Sequence, residues 1–199
     1  MSDRLSRLRA VMADRGVDAA IVSHPANRAY LSGFFADDHG PDEPTAMLLV
    51  EPRRARLLAS VVNLPWAAAS VRGDVEAVDW GIPWPLRLGE TIKESGARRV
   101  GIEENALTVG ALDAILEGLE GAAEIERLGT AVDRLRAVKD ADELAVMEEA
   151  IRITDEAFVA ATKGLAADTT ERELADRLDR AMRDRGASGP AFDTIVAAG

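Results

Sequence analysis

Short apolar segments alternate with helical segments along the first 130 residues, and this alternation restricts the possible folds more than any other feature of the sequence. Strands are predicted over residues 17–23, 45–51, 54–61, 75–80, 99–103 and 123–128, and helices over 3–15, 64–71, 86–95 and 108–119. A further short helix is predicted to begin at His24-Pro25 and to end at Gly33. The second and third strands are joined through Glu51-Pro52-Arg53 and are expected to form a hairpin. Such alternation predicts an α/β domain over residues 1–130.

The remaining residues, 131–199, follow a different pattern, with two long charged helices and a final apolar segment. Two capping boxes predict the starts of helices over residues 140–163 and 170–186. The capping pairs are Asp140 with Glu143 and Thr170 with Glu173. The final segment, residues 189–199, predicts a strand.

Apolar residues in these two helices recur every three or four positions, which predicts one buried face on each helix. The predicted faces are Leu144, Met147, Ile151, Thr154 and Phe158 in the first helix and Leu174, Leu178 and Met182 in the second. Roughly 65 residues offer too little structure to cover faces of this breadth. We therefore expect residues 131–199 to be the incomplete first part of a larger domain, with the chemistry located beyond Gly199.

Composition and charge argue against several functional classes. The net charge of −11 disfavours binding to nucleic acid or to an anionic membrane surface. No apolar run reaches the ~18 residues that a membrane-spanning helix needs. Cysteine is absent from the sequence, which excludes disulfides and thiolate metal sites and permits a cytoplasmic location.

Few side chains in the sequence are candidates for catalysis. The two histidines are His24 and His39, and His24 lies at a helix start, where a structural hydrogen bond is expected. Glu103-Glu104 follows a predicted strand and is expected to end it and to face solvent. The loop over residues 34–44 places Asp37, Asp38 and His39 between aromatic and proline residues, and such loops often contribute to binding. These three residues alone make a poor catalytic centre, so the loop is predicted either to close over a site elsewhere or to be a solvated surface loop.

Three motifs together resemble one family of proteins. Tyr30-Leu-Ser-Gly-Phe34 is similar to the Tyr-Leu-Thr-Gly-Phe signature of creatinase-type N-terminal domains. Arg136-Ala-Val-Lys-Asp140, followed by Glu143-Leu144 and Ala150, resembles the entry helix of the pita-bread catalytic domain. Phe192-Asp-Thr-Ile-Val-Ala-Ala-Gly199 resembles the strand before that domain's first metal-proximal loop. In this order, the motifs make the chain similar to the N-terminal half of a creatinase, aminopeptidase P or prolidase.

The resemblance implies a fold and an activity. The fold would be an N-terminal α/β domain with a mixed sheet flanked by helices over residues 1–130. The first two helices and first strand of an α+β pita-bread domain would follow over residues 131–199. The full-length protein would be a homodimeric, cytoplasmic, proline-directed metallopeptidase that cleaves a peptide before a proline at its second position. It would use two divalent metal ions (Mn, Co or Zn), whose five protein ligands all follow Gly199, so no catalytic or metal-binding residue is assigned to this chain.

The resemblance also implies roles for two groups of residues. Phe192 and Ile195 lie on the predicted final strand and would form part of the apolar wall of a proline pocket; core packing of that strand is the alternative. Asp37, Asp38 and His39 would belong to a lid that contributes substrate contacts across a dimer interface, because the N-terminal domain of this family is generally not catalytic.

Two other functions remain open from the sequence. Creatine amidinohydrolase has the same two domains and works without metal, and the residues that distinguish it lie beyond Gly199. A non-catalytic pita-bread homologue that binds other proteins is the second alternative. Fold alone does not decide between these functions.

Overall fold

A computed structural model describes residues 2–40 and 42–198 of the chain. The chain divides into two compact units, Met1–Val138 and Lys139–Gly199.

The first unit contains a six-stranded mixed sheet and six helices, among the residues that the structure describes. The elements in chain order are α1 (Ser2–Asp14), β1 (Ala19–Val22), α2 (Pro25–Ser32), β2 (Ala46–Val50), β3 (Ala55–Ala59), α3 (Leu64–Ser70), β4 (Val75–Asp79), α4 (Trp84–Ser95), β5 (Arg99–Ile102), α5 (Val109–Leu119), β6 (Glu124–Arg127) and α6 (Ala131–Ala137). All six predicted strands and the five predicted helices of this region are confirmed. Helix α6 is the one element here that the sequence analysis did not predict.

The sheet has the strand order β4-β3-β2-β1-β5-β6. Strand β2 is antiparallel to both of its neighbours, β1 and β3, which confirms the predicted β2–β3 hairpin. The other pairs, β3–β4, β1–β5 and β5–β6, are parallel. The carboxyl ends of every strand except β2 therefore lie along one edge of the sheet, as do the loops that follow them.

Helices cover both faces of this sheet because successive strand residues point to opposite sides. In β1, Ala20 and Val22 pack with residues of α1, α2 and α6, whereas Ala19 and Ile21 pack with residues of α4 and α5. All four strand side chains are fully buried. The resulting three-layer arrangement explains why β1 is apolar at every position instead of alternating with polar residues.

Helix α6 packs with the first unit. Its residues Ala131 and Val132 are buried in the core cluster formed with α1 and α2. The Arg7 guanidinium also donates to the carbonyl of Leu135 at 3.3 Å. The sequence analysis expected a domain boundary after residue 130, whereas the compact unit extends through α6 to Val138.

The second unit contains α7 (Ala141–Thr162) and α8 (Glu171–Arg183), which pack against each other. Both predicted capping boxes are present: Asp140 and Thr170 accept from the backbone N–H of the residue three positions later, and the Glu side chain there accepts from the cap N–H. The buried residues of these helices are Ile153, Ala157, Ala161 and Ala181.

The predicted buried face of α7 is exposed in this unit. Leu144, Met147, Ile151 and Phe158 are each between 45% and 58% exposed. Thr154 is exposed as well, and Leu174, Leu178 and Met182 of α8 are half-buried. The two helices meet instead through small residues of α7, because alanine side chains allow a close helix–helix approach.

The predicted final strand is absent from the described part of residues 189–199, which forms no strand over 189–198. A strand is stable only when a neighbour accepts and donates its ladder hydrogen bonds. The second unit has no other strand among its described residues. Instead, the Thr194 hydroxyl donates to the Asp179 carboxylate, and the Ala198 N–H donates to Glu171 Oε1 at 2.8 Å. Gly199 lies outside the described residues.

No helix within residues 2–40 and 42–198 combines the length and apolarity that a membrane span requires.

Candidate functional site

Buried polar residues concentrate where β1 ends and α2 begins. Ser23, Asn27, Arg28 and Ser32 are all at most 2% exposed, and Glu103, at the end of the adjacent strand β5, is 5% exposed. Polar groups buried at this depth are costly unless they are hydrogen bonded. At the edge where β1 and β5 end, these buried polar groups therefore need hydrogen-bond partners within the protein.

The Arg28 guanidinium lies at the centre of this cluster. Its Nη1 donates to the carbonyl oxygens of Ser23 and Ala46 at 3.1 and 2.6 Å, and its Nη2 donates to the carbonyl of Ala36 at 3.2 Å. Asp38 neutralises its charge, with Nη2 at 2.7 Å from Oδ1 and Nη1 at 3.3 Å from Oδ2. Of the three guanidinium nitrogens, Nε alone has no partner among the described residues. This fork anchors the loop that carries Asp38 to the end of β1 and the start of β2.

Of the three predicted lid residues, Asp38 has a structural role and the other two are exposed. Asp38 Oδ1 also accepts from the Thr45 N–H at 2.8 Å, and the Thr45 hydroxyl donates to the Asp37 carbonyl at 2.6 Å. The side chains of Asp37 and His39 face solvent. Asp38 therefore fixes the position of the loop, and the side chains on either side of it, those of Asp37 and His39, are exposed.

The prediction that Glu103 faces solvent was wrong. Its Oε2 accepts from the backbone N–H groups of Ser23 and His24 at 2.7 and 2.8 Å, and its Oε1 accepts from the Asn27 amide at 2.5 Å. Burial raises the pKa of Glu103 above its usual range, while these three hydrogen bonds oppose the shift. Glu104 lies at the surface and accepts from the Gly129 N–H at 3.1 Å. The side chain of Glu103 therefore caps the β1–α2 turn.

Asn27 connects this carboxylate to the end of the first unit. Its amide nitrogen donates to Glu103, and its Oδ1 accepts from Arg136 Nη1 at 2.8 Å. Arg136 belongs to α6 and lies two residues before the end of the unit. A continuous chain of hydrogen bonds thus links β5, α2 and α6.

His24 occupies the N-cap position of α2 but makes no side-chain capping bond. Its backbone serves instead: the N–H donates to Glu103, and the carbonyl accepts from Asn27 and Arg28. The expected structural role is therefore met by the backbone, and the imidazole is exposed.

A cavity of about 310 Å³ opens beside the imidazole, between the carboxyl ends of β1 and β5 and the loop of residues 34–44. Its polar lining comes from Ser23, His24, Asp38 and Asn105, and Pro25 and Met47 contribute apolar wall. Ser23 Oγ is buried and has no hydrogen-bond partner among the described residues. The cavity therefore brings together two of the residues that the sequence analysis considered, His24 and Asp38, which are 14 positions apart.

A second cavity, of about 340 Å³, lies at the opposite ends of β5 and β6, near Arg98, Arg99 and Glu124. Arg99 is paired with Glu126 at 2.7 Å, and both side chains are 41% exposed. Its size is similar, but one of its two arginines, Arg99, is engaged in this surface ion pair. The cavity beside His24 is the better candidate because its lining includes Asp38, whose Oδ2 accepts only one long hydrogen bond of 3.3 Å, together with His24 and Asn105.

Phe192 and Ile195, the predicted substrate-binding residues, belong to the second unit. They are 73% and 82% exposed, and neither lies on a strand. Neither side chain is packed in the core of this unit.

Over the described ranges 2–40 and 42–198, no group of three or more His, Asp or Glu side chains is arranged to hold a metal ion.

Two family sequence models match the chain. The creatinase/prolidase N-terminal domain matches residues 4–138, and metallopeptidase family M24 matches residues 145–199. The first match covers most of the chain and coincides with the three-layer unit. The chain belongs to the creatinase/prolidase N-terminal domain family.

Individual relatives agree with this assignment. The Xaa-Pro dipeptidase of Pyrococcus furiosus is 25% identical over 202 residues, which cover 100% of this chain and 53% of the relative. The solved structure of an Xaa-Pro dipeptidase from Bacillus anthracis has the same fold, with a TM-score of 0.84, 23% identity and coverage of 96% of this chain and 51% of its own. The chain therefore spans about half the length of these relatives.

A third relative is a single N-terminal domain. The solved N-terminal domain of the cytoplasmic peptidase PepQ from Mycobacterium tuberculosis is 31% identical, with a TM-score of 0.58. The match covers 67% of this chain and 98% of that domain.

The sequence analysis missed the residues that organise this region, Arg28 and Ser23. One signal for Arg28 is visible in the sequence: it is a charged residue within the apolar helix that carries Tyr30 and Leu31. Its partners lie 5 to 18 positions away, so their identity required the tertiary structure.

Proposed function

We propose that this chain is the N-terminal portion of a metal-dependent peptidase that hydrolyses the bond before a proline at the second position of its substrate. The observation that carries the proposal is the order of the two family matches, a creatinase/prolidase N-terminal domain followed by the beginning of an M24 metallopeptidase domain. Relatives that align with the whole chain are Xaa-Pro dipeptidases, so a dipeptide is the substrate we favour.

The catalytic metals of such an enzyme would be two divalent ions, for which Mn, Co and Zn are the candidates. The described residues do not fit them, because no cluster of three or more potential ligands is present there. No hydrolytic step is therefore assigned to a side chain of this chain. Its contribution is the shaping and covering of a site completed by other residues.

The loop of residues 34–44 is the proposed lid. Asp38 is held by the buried Arg28, so its role is to fix the position of the loop. Asp37 and His39 are exposed on either side of this anchor. The imidazole of His39 is the group available to donate to a peptide carbonyl or carboxylate. We further propose that this contact is made across a homodimer interface, in a cytoplasmic enzyme.

Phe192 and Ile195 are proposed as part of the wall that recognises proline. Proline has an apolar ring and no N–H donor, so an apolar surface recognises it better than a backbone hydrogen-bonding strand does. The exposure of both side chains supports the proposal, because they are free to contact a ligand or another segment.

The activity is tested by comparing two forms of the protein, the 199-residue chain and the product of the complete gene. Each is incubated with Mn²⁺, Co²⁺ or Zn²⁺ and with Ala-Pro, Ala-Ala or creatine. We expect the complete protein to hydrolyse Ala-Pro alone and the 199-residue chain to be inactive. Turnover of creatine, or no turnover of any substrate by a folded and metal-loaded complete protein, would contradict the proposal.

The lid is tested in the complete enzyme with His39→Ala and with Glu43→Ala as the control. Both residues are exposed on the same loop, but only the imidazole is proposed to contact substrate. We expect kcat/KM for Ala-Pro to fall about tenfold in His39→Ala, as for loss of one hydrogen bond to a charged group, and to be unchanged in Glu43→Ala. Equal kcat/KM values for the two variants would exclude the lid role.

A further inference from the structure

The cavity beside His24 has the form of a small-molecule site. It lies outside the carboxyl ends of the parallel strands β1 and β5, where open α/β sheets commonly bind ligands. Its volume of about 310 Å³ is at the lower end of the range for ligand pockets. The lining combines polar residues, among them His24, Asp38 and Asn105, with apolar residues such as Pro25 and Met47. A ligand that fills it must therefore be short and carry both polar groups and an apolar body.

Asp38 offers a place for a cation. Its Oδ1 accepts two hydrogen bonds, at 2.7 Å from Arg28 Nη2 and at 2.8 Å from the Thr45 N–H. Its Oδ2 accepts only one, at the longer distance of 3.3 Å from Arg28 Nη1. Because each carboxylate oxygen can accept two hydrogen bonds, Oδ2 retains capacity for an ammonium group.

His24 and Asn105 line the cavity as well and can both donate hydrogen bonds, so they suit an anionic group. With an acceptor at Asp38 and donors at His24 and Asn105, the polar lining offers groups that match both ends of a zwitterion. We propose that this cavity binds a small apolar α-amino acid, such as valine or proline, with its ammonium at Asp38 and its carboxylate at His24 and Asn105. Its side chain contacts Pro25 and Met47.

The proposal is independent of the peptidase reaction, because every residue involved belongs to the first unit and binding alone is measured. The 199-residue chain, labelled with ¹⁵N, is titrated with L-valine and L-proline while the backbone amide resonances of His24, Gly40 and Asn105 are followed. We expect saturable shifts with a Kd in about the millimolar range, since the ligand is small and the cavity is open. No saturable shift of these three amides would overturn the proposal.

Two analogues of valine test the zwitterion. Isobutylamine lacks the carboxylate, and isovalerate lacks the ammonium group. Each should bind at least about fivefold more weakly than valine, as expected for the loss of one hydrogen-bonded charge. Binding of either analogue as tightly as valine would show that the cavity recognises only one charge or only apolar bulk, and would overturn the assignment.

Variants then separate a ligand site from a structural feature. Ser23→Ala removes an unpaired buried hydroxyl that the cavity does not expose, so the midpoint of unfolding should be unchanged or higher and the affinity for valine unchanged. His24→Ala should weaken valine binding about fivefold, whereas Glu43→Ala, on the loop of residues 34–44 but outside the cavity lining, should have no effect. Equal affinity of His24→Ala and Glu43→Ala for valine would contradict the proposal.

Discussion

The two units of this chain bury their apolar residues very differently. In the first unit, both faces of the sheet are covered by helices, and large side chains such as Leu48 and Leu57 are fully buried. In the second unit, α7 and α8 bury mainly alanines between them and leave Leu144 and Phe158 about half exposed. Burial of large apolar side chains is the main favourable contribution to folding. The first unit therefore contains its own source of stability, whereas the second has apolar surface that its described residues do not cover.

Arginine ion pairs also differ in burial: the pair in the first unit is buried, and the pairs in the second unit are exposed. Arg28 in the first unit is fully buried and donates to carbonyl groups from three segments as well as to Asp38. Arg152 in the second unit is paired with Glu149 and Glu156 on the open surface of one helix. A buried charge must keep its partner, but an exposed charge can exchange its partner for water. Arginine thus fixes a loop in the first unit, whereas in the second unit it lies on the exposed surface of a helix.

The largest expected effect comes from truncating leucine in each unit. Leu48→Ala leaves a cavity in a closed core and should lower the free energy of unfolding by about 2–5 kcal/mol. Leu144→Ala removes a side chain that is 49% exposed and should change it by less than about 0.5 kcal/mol. Urea unfolding followed by circular dichroism measures both variants. Equal losses would mean that the face of α7 is covered in solution.

A second comparison removes one charge from each type of ion pair. Asp38→Asn leaves the Arg28 guanidinium buried without its counter-ion and should cost about 2–3 kcal/mol, somewhat less than for a fully buried pair because Asp38 is partly exposed. Glu149→Gln, beside the exposed Arg152, should leave the urea midpoint unchanged. If Asp38→Asn has the same urea midpoint as the parent chain, water or another group compensates the charge of Arg28 in place of Asp38.

The contact between α4 and α5 provides a third comparison, within the first unit. A methyl group at Gly118 would collide with the carbonyl of Leu86, whereas one at Gly110 would meet open space. Gly118→Ala should therefore lower the free energy of unfolding by about 1–3 kcal/mol. Gly110→Ala should leave it unchanged or raise it by about 0.5–1 kcal/mol, because alanine favours the helix. If Gly118→Ala is also neutral, the two helices are farther apart than the structure indicates.

The smallest expected effect is a dependence of stability on pH through Glu103. Burial raises the pKa of this carboxyl in the folded state above its ordinary value of 4.5, so the folded protein binds the proton more tightly than the unfolded chain does. The stabilising contribution of that proton is complete below the ordinary pKa and is lost as the pH rises through the folded-state pKa.

Glu103→Gln cannot titrate and removes this contribution. The stability of the parent chain relative to Glu103→Gln should therefore decrease as the pH rises above the ordinary pKa of 4.5 and through the raised folded-state pKa, in urea unfolding at several pH values. Glu117→Gln, at an exposed position of α5, controls for the change in net charge. An increase in relative stability with rising pH would indicate a lowered pKa and would contradict the assignment to burial.

Much of the fold was predictable because its signals are local. The apolar runs of the strands, the capping boxes at Asp140 and Thr170 and the proline at the start of α2 each lie within a few residues of the feature that they determine. Helix α6 was missed because its seven residues form no long periodic pattern and its buried side chains, Ala131 and Val132, pack on distant helices. The final strand was overpredicted because apolar sequence alone does not supply the neighbour that a strand requires.

The sequence by itself determined the α/β class of the first unit, the starts of both helices in the second and the family to which the chain belongs. These depend on periodicity, capping and motif spacing, which act over short distances along the chain. Only the tertiary structure decided that Glu103 is buried, that Arg28 holds Asp38, and that Ser23, His24 and Asn105 line one cavity. Those outcomes depend on which segments meet at the edge of the sheet, since the contact between Glu103 and Ser23 spans 80 positions and no local pattern encodes it.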